Sequence, residues 1–286
     1  VVEGTTSISV NKQKGVDFVF TSSELTLSIS DLSERVIKPA MIQLANQVDS
    51  DLQALYSSVP NWVGTPGQTV NSFTDFAKAP ERLGELGVPV SDRYAALSPA
   101  DNWGLVGSQT SLYIQGAANS AYRDGSLGRI GGVETFETQN VRTHTVGVAT
   151  GTPLVNGGSQ NSTYATVKDT MTQSLVTDGW TNSTTGILKA GDVFTIAGVY
   201  AVNPVTKATL PFLRQFVVTA DADSGASTGP AALTIYPAII SSGAFQNCSA
   251  TPADNAAITV LGTGGTGYRQ NLVFHKNAFA LAMVPM

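Results

Sequence analysis

The sequence predicts an α+β fold in which an antiparallel β unit is inserted into a core built around a long helix. Three observations predict it. Apolar residues spaced three and four apart run from Leu32 to Leu55, short strand-like runs punctuated by turn residues recur between Val148 and Thr259, and the texture changes again after Gly267. With 286 residues and 42% hydrophobic content, the chain can bury a sizeable core and hold one or two domains. Charged residues make up only 13% while glycine reaches 28 positions, a composition of many turns and close backbone approaches.

Residues Thr6 to Ile29 alternate apolar and polar positions, with Ile8 and Val10 before Lys12-Gln13-Lys14-Gly15 and Val16, Phe18 and Phe20 after it. This predicts a long hairpin with a charged tip. The period then changes. Asp31 and Glu34 have capping-box spacing, and Leu32, Val36, Ile37, Met41, Leu44, Val48, Leu52 and Leu55 form the apolar face of a helix ending near Tyr56. Pro39 either kinks this helix or opens a second one. After a loop from Pro60 to Gly67, the residues Phe73, Phe76, Leu83 and Leu86 mark a helix interrupted or started by Pro80. Arg93 to Leu97 fits a buried strand, Gln109 to Tyr122 a closely packable helix, and Val133, Phe136 and Val141 one long strand beyond turns at Gly128, Gly131 and Gly132.

From Gly151 to Asn161 the chain is nearly all small and polar. Strand signals follow at Tyr164–Val167, Gln173–Val176, Val193–Tyr200, Leu213–Thr219, Ala232–Tyr236 and Ile239–Ile240, separated by turns at Asp178-Gly179, Ala190-Gly191-Asp192 and Asp223-Ser-Gly225. No helical window interrupts them. The pattern predicts a small barrel or sandwich inserted over 148–259, between a core at 1–147 and a return segment of mixed helix and strand at 260–286.

The chemistry these residues exclude is as informative as the pattern. A formal charge of −5 with no basic tract argues against a sequence-reading contact with phosphates. Cys248 is the single cysteine, which rules out an internal disulfide or a multi-thiolate metal site and reads as an inert thiol. Apolar runs such as Ala278 to Pro285 fall far short of the roughly 20 residues that span a bilayer, and no leader opens the chain. A first residue Val1 and an abrupt end at Met286 read as natural termini lost, a chain truncated at both ends.

One stretch spells a cofactor motif. In ITVLGTGGTGYR, Gly262, Gly264 and Gly267 form GxGxxG after a strand-like run, but no acidic residue follows Asp254 to meet a ribose. A glycine hinge returning the chain from the insertion, centred on Gly264 and Gly267, is the stronger reading. The cluster Asp124-Gly-Ser-Leu-Gly-Arg-Ile-Gly-Gly132 lacks the Lys and Ser/Thr of a phosphate loop and reads as a turn, with Gly128, Gly131 and Gly132 as structural hinges. Asp221-Ala-Asp223-Ser-Gly225 places its glycine one residue too early for a calcium loop, and His144 and His275 belong to no local triad or metal signature. Asn161, Asn182 and Asn247 match the glycosylation pattern at the frequency expected of so Asn/Ser/Thr-rich a chain. No catalytic, cofactor-binding or metal-binding residues emerge, and the chain is not expected to be an enzyme.

Four segments, taken together, carry a family resemblance. DLSERVIKPAMIQLANQVDSDL, starting at Asp31, resembles the long helix of tailed-bacteriophage coat proteins of the P22 type. AYRDGSLGRIGGVETFETQNV, from Ala121 to Val141, is similar to their helix, glycine turn and strand; LKAGDVFTIAGVYAVNPVTK and YRQNLVFHKNAFALAMVPM resemble segments of their inserted domain and of the return to the core. The resemblance implies the HK97-like capsid fold, with an extended loop tipped by Lys12–Lys14, a spine helix within Asp31–Ser58, peripheral and axial domains, and a β-barrel insertion. It implies a major capsid protein without cofactors that assembles with copies of itself into an icosahedral shell around double-stranded DNA. Scaffolding and portal proteins would be further partners, the virion the final location and the bacterial host cytoplasm the place of synthesis, with no membrane involved. Lys12, Gln13 and Lys14 are then candidate assembly contacts. Two other readings are a cellular compartment shell of the same fold (encapsulin-like) and, far behind, a dinucleotide-binding enzyme built on Gly262–Gly267.

Overall fold

In a computed structural model of the chain, residues 3–17, 33–109, 124–125 and 127–284 are described. The first arm of the predicted hairpin forms no strand: residues 3–17 are irregular and exposed throughout, and its second arm lies outside the described residues. The long helical period is realised in three pieces. A π-helical turn, Ser33–Ile37, leads into α1, Lys38–Gln53, which tightens into a 3₁₀ turn at Ala54–Ser58. Pro39 therefore opens α1, where its missing N–H costs nothing. Ser72 caps α2, Phe73–Glu85, its Oγ accepting the Asp75 N–H at 3.1 Å, and Pro80 sits inside the helix rather than at an end.

Arg93–Leu97 is β1, as predicted, but the next element is one that periodicity missed: α3, Pro99–Gln109. Ser98 Oγ accepts the Asp101 N–H at 3.3 Å and Pro99 occupies the first helical position, the same Ser-x-x-Asp opening as α2. The helix expected over Gln109 to Tyr122 falls, beyond Gln109 itself, outside the described residues. The long strand expected through Val141 breaks in two. After β2, Arg129–Ile130, the strand β3 covers Val133–Glu137, the chain turns, and β4 covers Thr143–Thr145.

The remaining strands are β5 (Gly151–Val155), β6 (Gln173–Trp180), β7 (Val193–Val202), β8 (Thr209–Val218), β9 (Ala231–Tyr236), β10 (Ile258–Val260), β11 (Gly267–Arg269) and β12 (Leu272–His275). Four expectations fail here. Tyr164–Val167 is a single helical turn, α4, not a strand. Asp178-Gly179 lies within β6, because Gly179 at φ +75° packs so tightly on the Thr152 carbonyl that a bulge replaces a turn. Ile239–Ile240 is buried but irregular, following the cis Tyr236–Pro237 bond, and the return segment carries strands without a helix.

Strands β12-β1-β3-β2 form one mixed sheet, with β1 and β3 parallel across the connection that contains α3. Strands β10-β7-β8-β9-β6-β5 form a second sheet, antiparallel throughout. Its edges nearly close. Leu154 bridges Ala257, and Val155 exchanges backbone bonds of 2.9 Å with Ala256 and Asn255. Phe194, Phe216, Leu175, Leu188, Leu233 and Ile235 fill its interior, all fully buried, whereas the mixed sheet packs a smaller cluster of Phe76, Leu97, Leu105 and Val133. Hydrophobic burial is thus concentrated in the second sheet.

Candidate functional site

The two cores meet along a polar seam, and its centre is a buried side-chain node. Asp192, in the turn before β7, directs Oδ1 at His144 Nε2 of β4 across 2.7 Å, while its Oδ2 accepts the Gly147 N–H at 3.0 Å and the Lys189 N–H at 2.6 Å. The other imidazole nitrogen, Nδ1, lies 3.1 Å from the hydroxyl of Tyr56, in the 3₁₀ turn after α1. A carboxylate with four acceptor sites can satisfy three donors at once, so three elements distant in sequence are fixed in one place. Burial pushes the Tyr56 hydroxyl above its ordinary pKa, which keeps it a neutral partner for the ring. His144 is thus a satisfied structural residue, as its isolation in the sequence suggested.

Other contacts run along the same seam. Gln215 of β8 holds the backbone of Trp62 with two bonds of 2.8 Å, one to the N–H and one to the carbonyl. Arg82 of α2 stacks its guanidinium 3.6 Å over the Phe212 ring of β8, a cation–π contact that also covers apolar surface. The long helix is held by hydrogen bonds as well: Asp49 Oδ2 accepts from Thr138 Oγ1 at 2.8 Å and Asn140 Nδ2 at 2.6 Å, and Arg142 Nη2 donates to the Ser50 carbonyl at 3.0 Å. A cleft of about 490 Å³ lies beneath the Pro60–Val70 segment, lined by Tyr56, Trp62, Phe76, Arg82, Tyr268 and Arg269 among others.

Of the predicted hinge glycines, Gly131, Gly132 and Gly264 lie in turns, Gly128 just before β2, and Gly267 in a strand. Gly262–Gly267 leads from β10 into the strand β11, not into a helix, so the arrangement a dinucleotide turn requires is not formed. Gly264 lies so close to the Val148 carbonyl that a β-carbon would come within 2.1 Å, fastening the return segment against the start of the β-rich region. Gly267 begins β11, opposite Thr145. Gly128, Gly131 and Gly132, at φ of 59°, 55° and 82°, shape the turn around β2. Asp221 and Asp223 accept the Ala190 and Gly186 N–H groups, and among the described residues no group of three His, Cys, Asp or Glu is arranged to hold a metal. Burial pushes the Cys248 thiol up to about 12, so the nucleophilic thiolate is not formed at neutral pH. No helix among the described residues is long and apolar enough to cross a membrane.

Lys12, Gln13 and Lys14 lie on the exposed arm, and Lys12 reaches α1, its Nζ 3.0 Å from Asp51 Oδ1. That hydrogen bond holds the Asp51 carboxyl below its ordinary pKa, with the Lys14 charge adding to the effect. Ile37, Met41 and Ile42 stand exposed at the front of the same helical segment, and its buried set contains only Gln53. Sequence reasoning singled out the lysines but not Asp51, Asp192, Tyr56 or Gln215. Asp192 carries a local signal only for a turn, and its partner stands 48 positions away.

Comparison with known proteins identifies the family. A solved structure titled "CUS-3 coat protein I-domain" aligns to 39% of this chain and 96% of its own, at 28% identity and a TM-score of 0.26. One titled "Mycobacterium phage Che8" aligns to 87% of this chain and 67% of its own, at 12% identity and a TM-score of 0.34. A "Major capsid protein" of Acyrthosiphon pisum secondary endosymbiont phage 1 is 21% identical over 288 residues, covering 97% of this chain and 67% of that relative. The profile of the family described as "P22 coat protein - gene protein 5" matches residues 1–286, end to end. The chain belongs to the P22 coat protein family.

Proposed function

We infer that this chain is a major capsid (coat) protein, a non-enzymatic subunit that assembles with copies of itself into an icosahedral shell enclosing a double-stranded DNA phage genome. The observation that carries the reading is the family match over the whole chain. The architecture supports it: an exposed arm and a helix with uncovered apolar residues stand beside a self-sufficient β core, a division suited to a subunit that folds alone and then finds neighbours. The near-closed sheet is read as the barrel inserted at 148–259, the segments 1–147 and 260–286 as the HK97-like core with its spine helix α1, and Gly264 as the junction between them. Net negative charge suits an inner surface that confines DNA by enclosure rather than by adhesion. Scaffolding and portal proteins are expected partners, and the virion the expected location. Electron microscopy of the full-length product, expressed with its scaffolding protein, is expected to show closed particles; monomers alone over a wide concentration range would overturn the reading.

A further inference from the structure

We propose that residues 3–17 form an arm latched onto its own subunit by two carboxylates, Asp169 and Asp51, and that release of this latch sets when the arm becomes available to another copy of the chain. The second half of this proposal rests on the shell reading above. Every residue from 3 to 17 is exposed, and the apolar side chains Ile8 and Val10 keep most of their surface open, with Val16 42% exposed. Hydrophobic burial therefore does not hold the arm in place. Among the described residues, what holds it is polar and sits at two points. Near its start, Thr5 donates its N–H at 2.9 Å and its hydroxyl at 3.1 Å to Asp169 Oδ1, while the Gly4 backbone lies so close on the Lys168 carbonyl that a β-carbon would come within 2.4 Å. Seven residues on from Thr5, Lys12 Nζ pairs with Asp51 on α1 at 3.0 Å.

The two anchors lie on opposite sides of the seam, one in the β-rich region between α4 and β6, the other on the long helix. The arm consequently straps the two regions together. Both carboxylates answer to it, though not to it alone: the Lys12 hydrogen bond draws Asp51 below its ordinary pKa with Lys14 and Arg142 adding to the effect, and the Thr5 backbone N–H does the same to Asp169 beside Lys168, whose Nζ lies 3.0 Å from Oδ1. The strap is therefore complete above the ordinary carboxylate range and weakens as acid protonates these groups. Exposed pairs of this kind are weak and screened by salt, so such a latch opens readily. A second copy able to bury Ile8, Val10 and Val16 offers the arm what its own subunit does not.

Trypsin cleavage after Lys12 and Lys14, followed by mass spectrometry on the purified full-length subunit, tests the latch. Asp51→Asn, which loses the charge facing Lys12, and Asp169→Ala, which loses the acceptor of both Thr5 bonds, are each expected to speed cleavage about two- to five-fold at low salt, and the double variant further, with unchanged thermal midpoints. Asp51→Glu should retain protection, and high salt should bring the wild type close to the double variant. Equal cleavage in all variants would overturn the latch. Light scattering with the scaffolding protein present should show the double variant associating sooner; faster cleavage without faster association would overturn the arm's control over assembly. Particles that fail to form from either chain would count against the shell reading and leave the cleavage result standing.

Discussion

The near-closed β sheet and the long helix with its arm differ in where their apolar residues go. In the sheet, Phe194, Phe216, Leu233 and Ile235 are fully buried and the bonding ladder runs from β10 round to β5. Along α1 and the turns flanking it, Ile37, Met41, Ile42 and Leu55 remain exposed, and hydrogen bonds from Thr138, Asn140 and Arg142 do much of the holding. The sheet encloses a large apolar interior, although Val176 and Tyr200 remain exposed on its outside; the helical segment encloses none of its own and leaves several apolar residues uncovered. If the uncovered helical surface is what meets other copies, stability and association belong to different parts of the sequence and each can be perturbed alone.

The sharpest way to break this comparison is to empty the sheet. Phe194→Ala should cost about 3–5 kcal/mol in denaturant unfolding, since the closed sheet cannot collapse around the cavity. Asp192→Ala should cost about 2–3 kcal/mol by orphaning the Gly147 and Lys189 N–H groups and the His144 ring together, and amide exchange at Gly147 should accelerate. Gly264→Ala forces a methyl onto the Val148 carbonyl and should cost about 1–3 kcal/mol, with spectral changes concentrated where 146–148 meets 262–267 and no gain or loss of dinucleotide binding. Met41→Ser belongs at the other end. It should alter unfolding by no more than about 0.5 kcal/mol while lowering particle yield. A large stability loss in Met41→Ser, or a negligible one in Phe194→Ala, would dissolve the distinction.

What could be read in the sequence follows the same division. Strands β7 and β8 stand out because their buried runs demand dense β-branched and aromatic residues, β9 because buried and exposed positions alternate along it, and α1 because its period is long enough to average over exceptions. Helix α3 was hidden by its composition, with Trp103 exposed and Gly104 and Gly107 inside it, although its Ser98-Pro99-Ala100-Asp101 opening is a legible start signal. Tyr164–Val167 was misread because four residues cannot display a helical period. The Asp192–His144–Tyr56 node was illegible for a stronger reason: its members come from three separate elements, and only the finished fold brings them within hydrogen-bond distance.

The bond between Leu154 and Ala257 has a consequence for crowding. A subunit meant to stand shoulder to shoulder with its copies is at risk from any unpaired strand, which can recruit a neighbour's backbone without regard to shape. Joining β5 to β10 takes the larger sheet out of that hazard. Among the described residues, strand recruitment is left to the rims of the mixed sheet, where β2 and β12 offer two and four residues, and to the β4–β11 pair of three residues each, too short as templates to compete with side chains that recognise a specific neighbour.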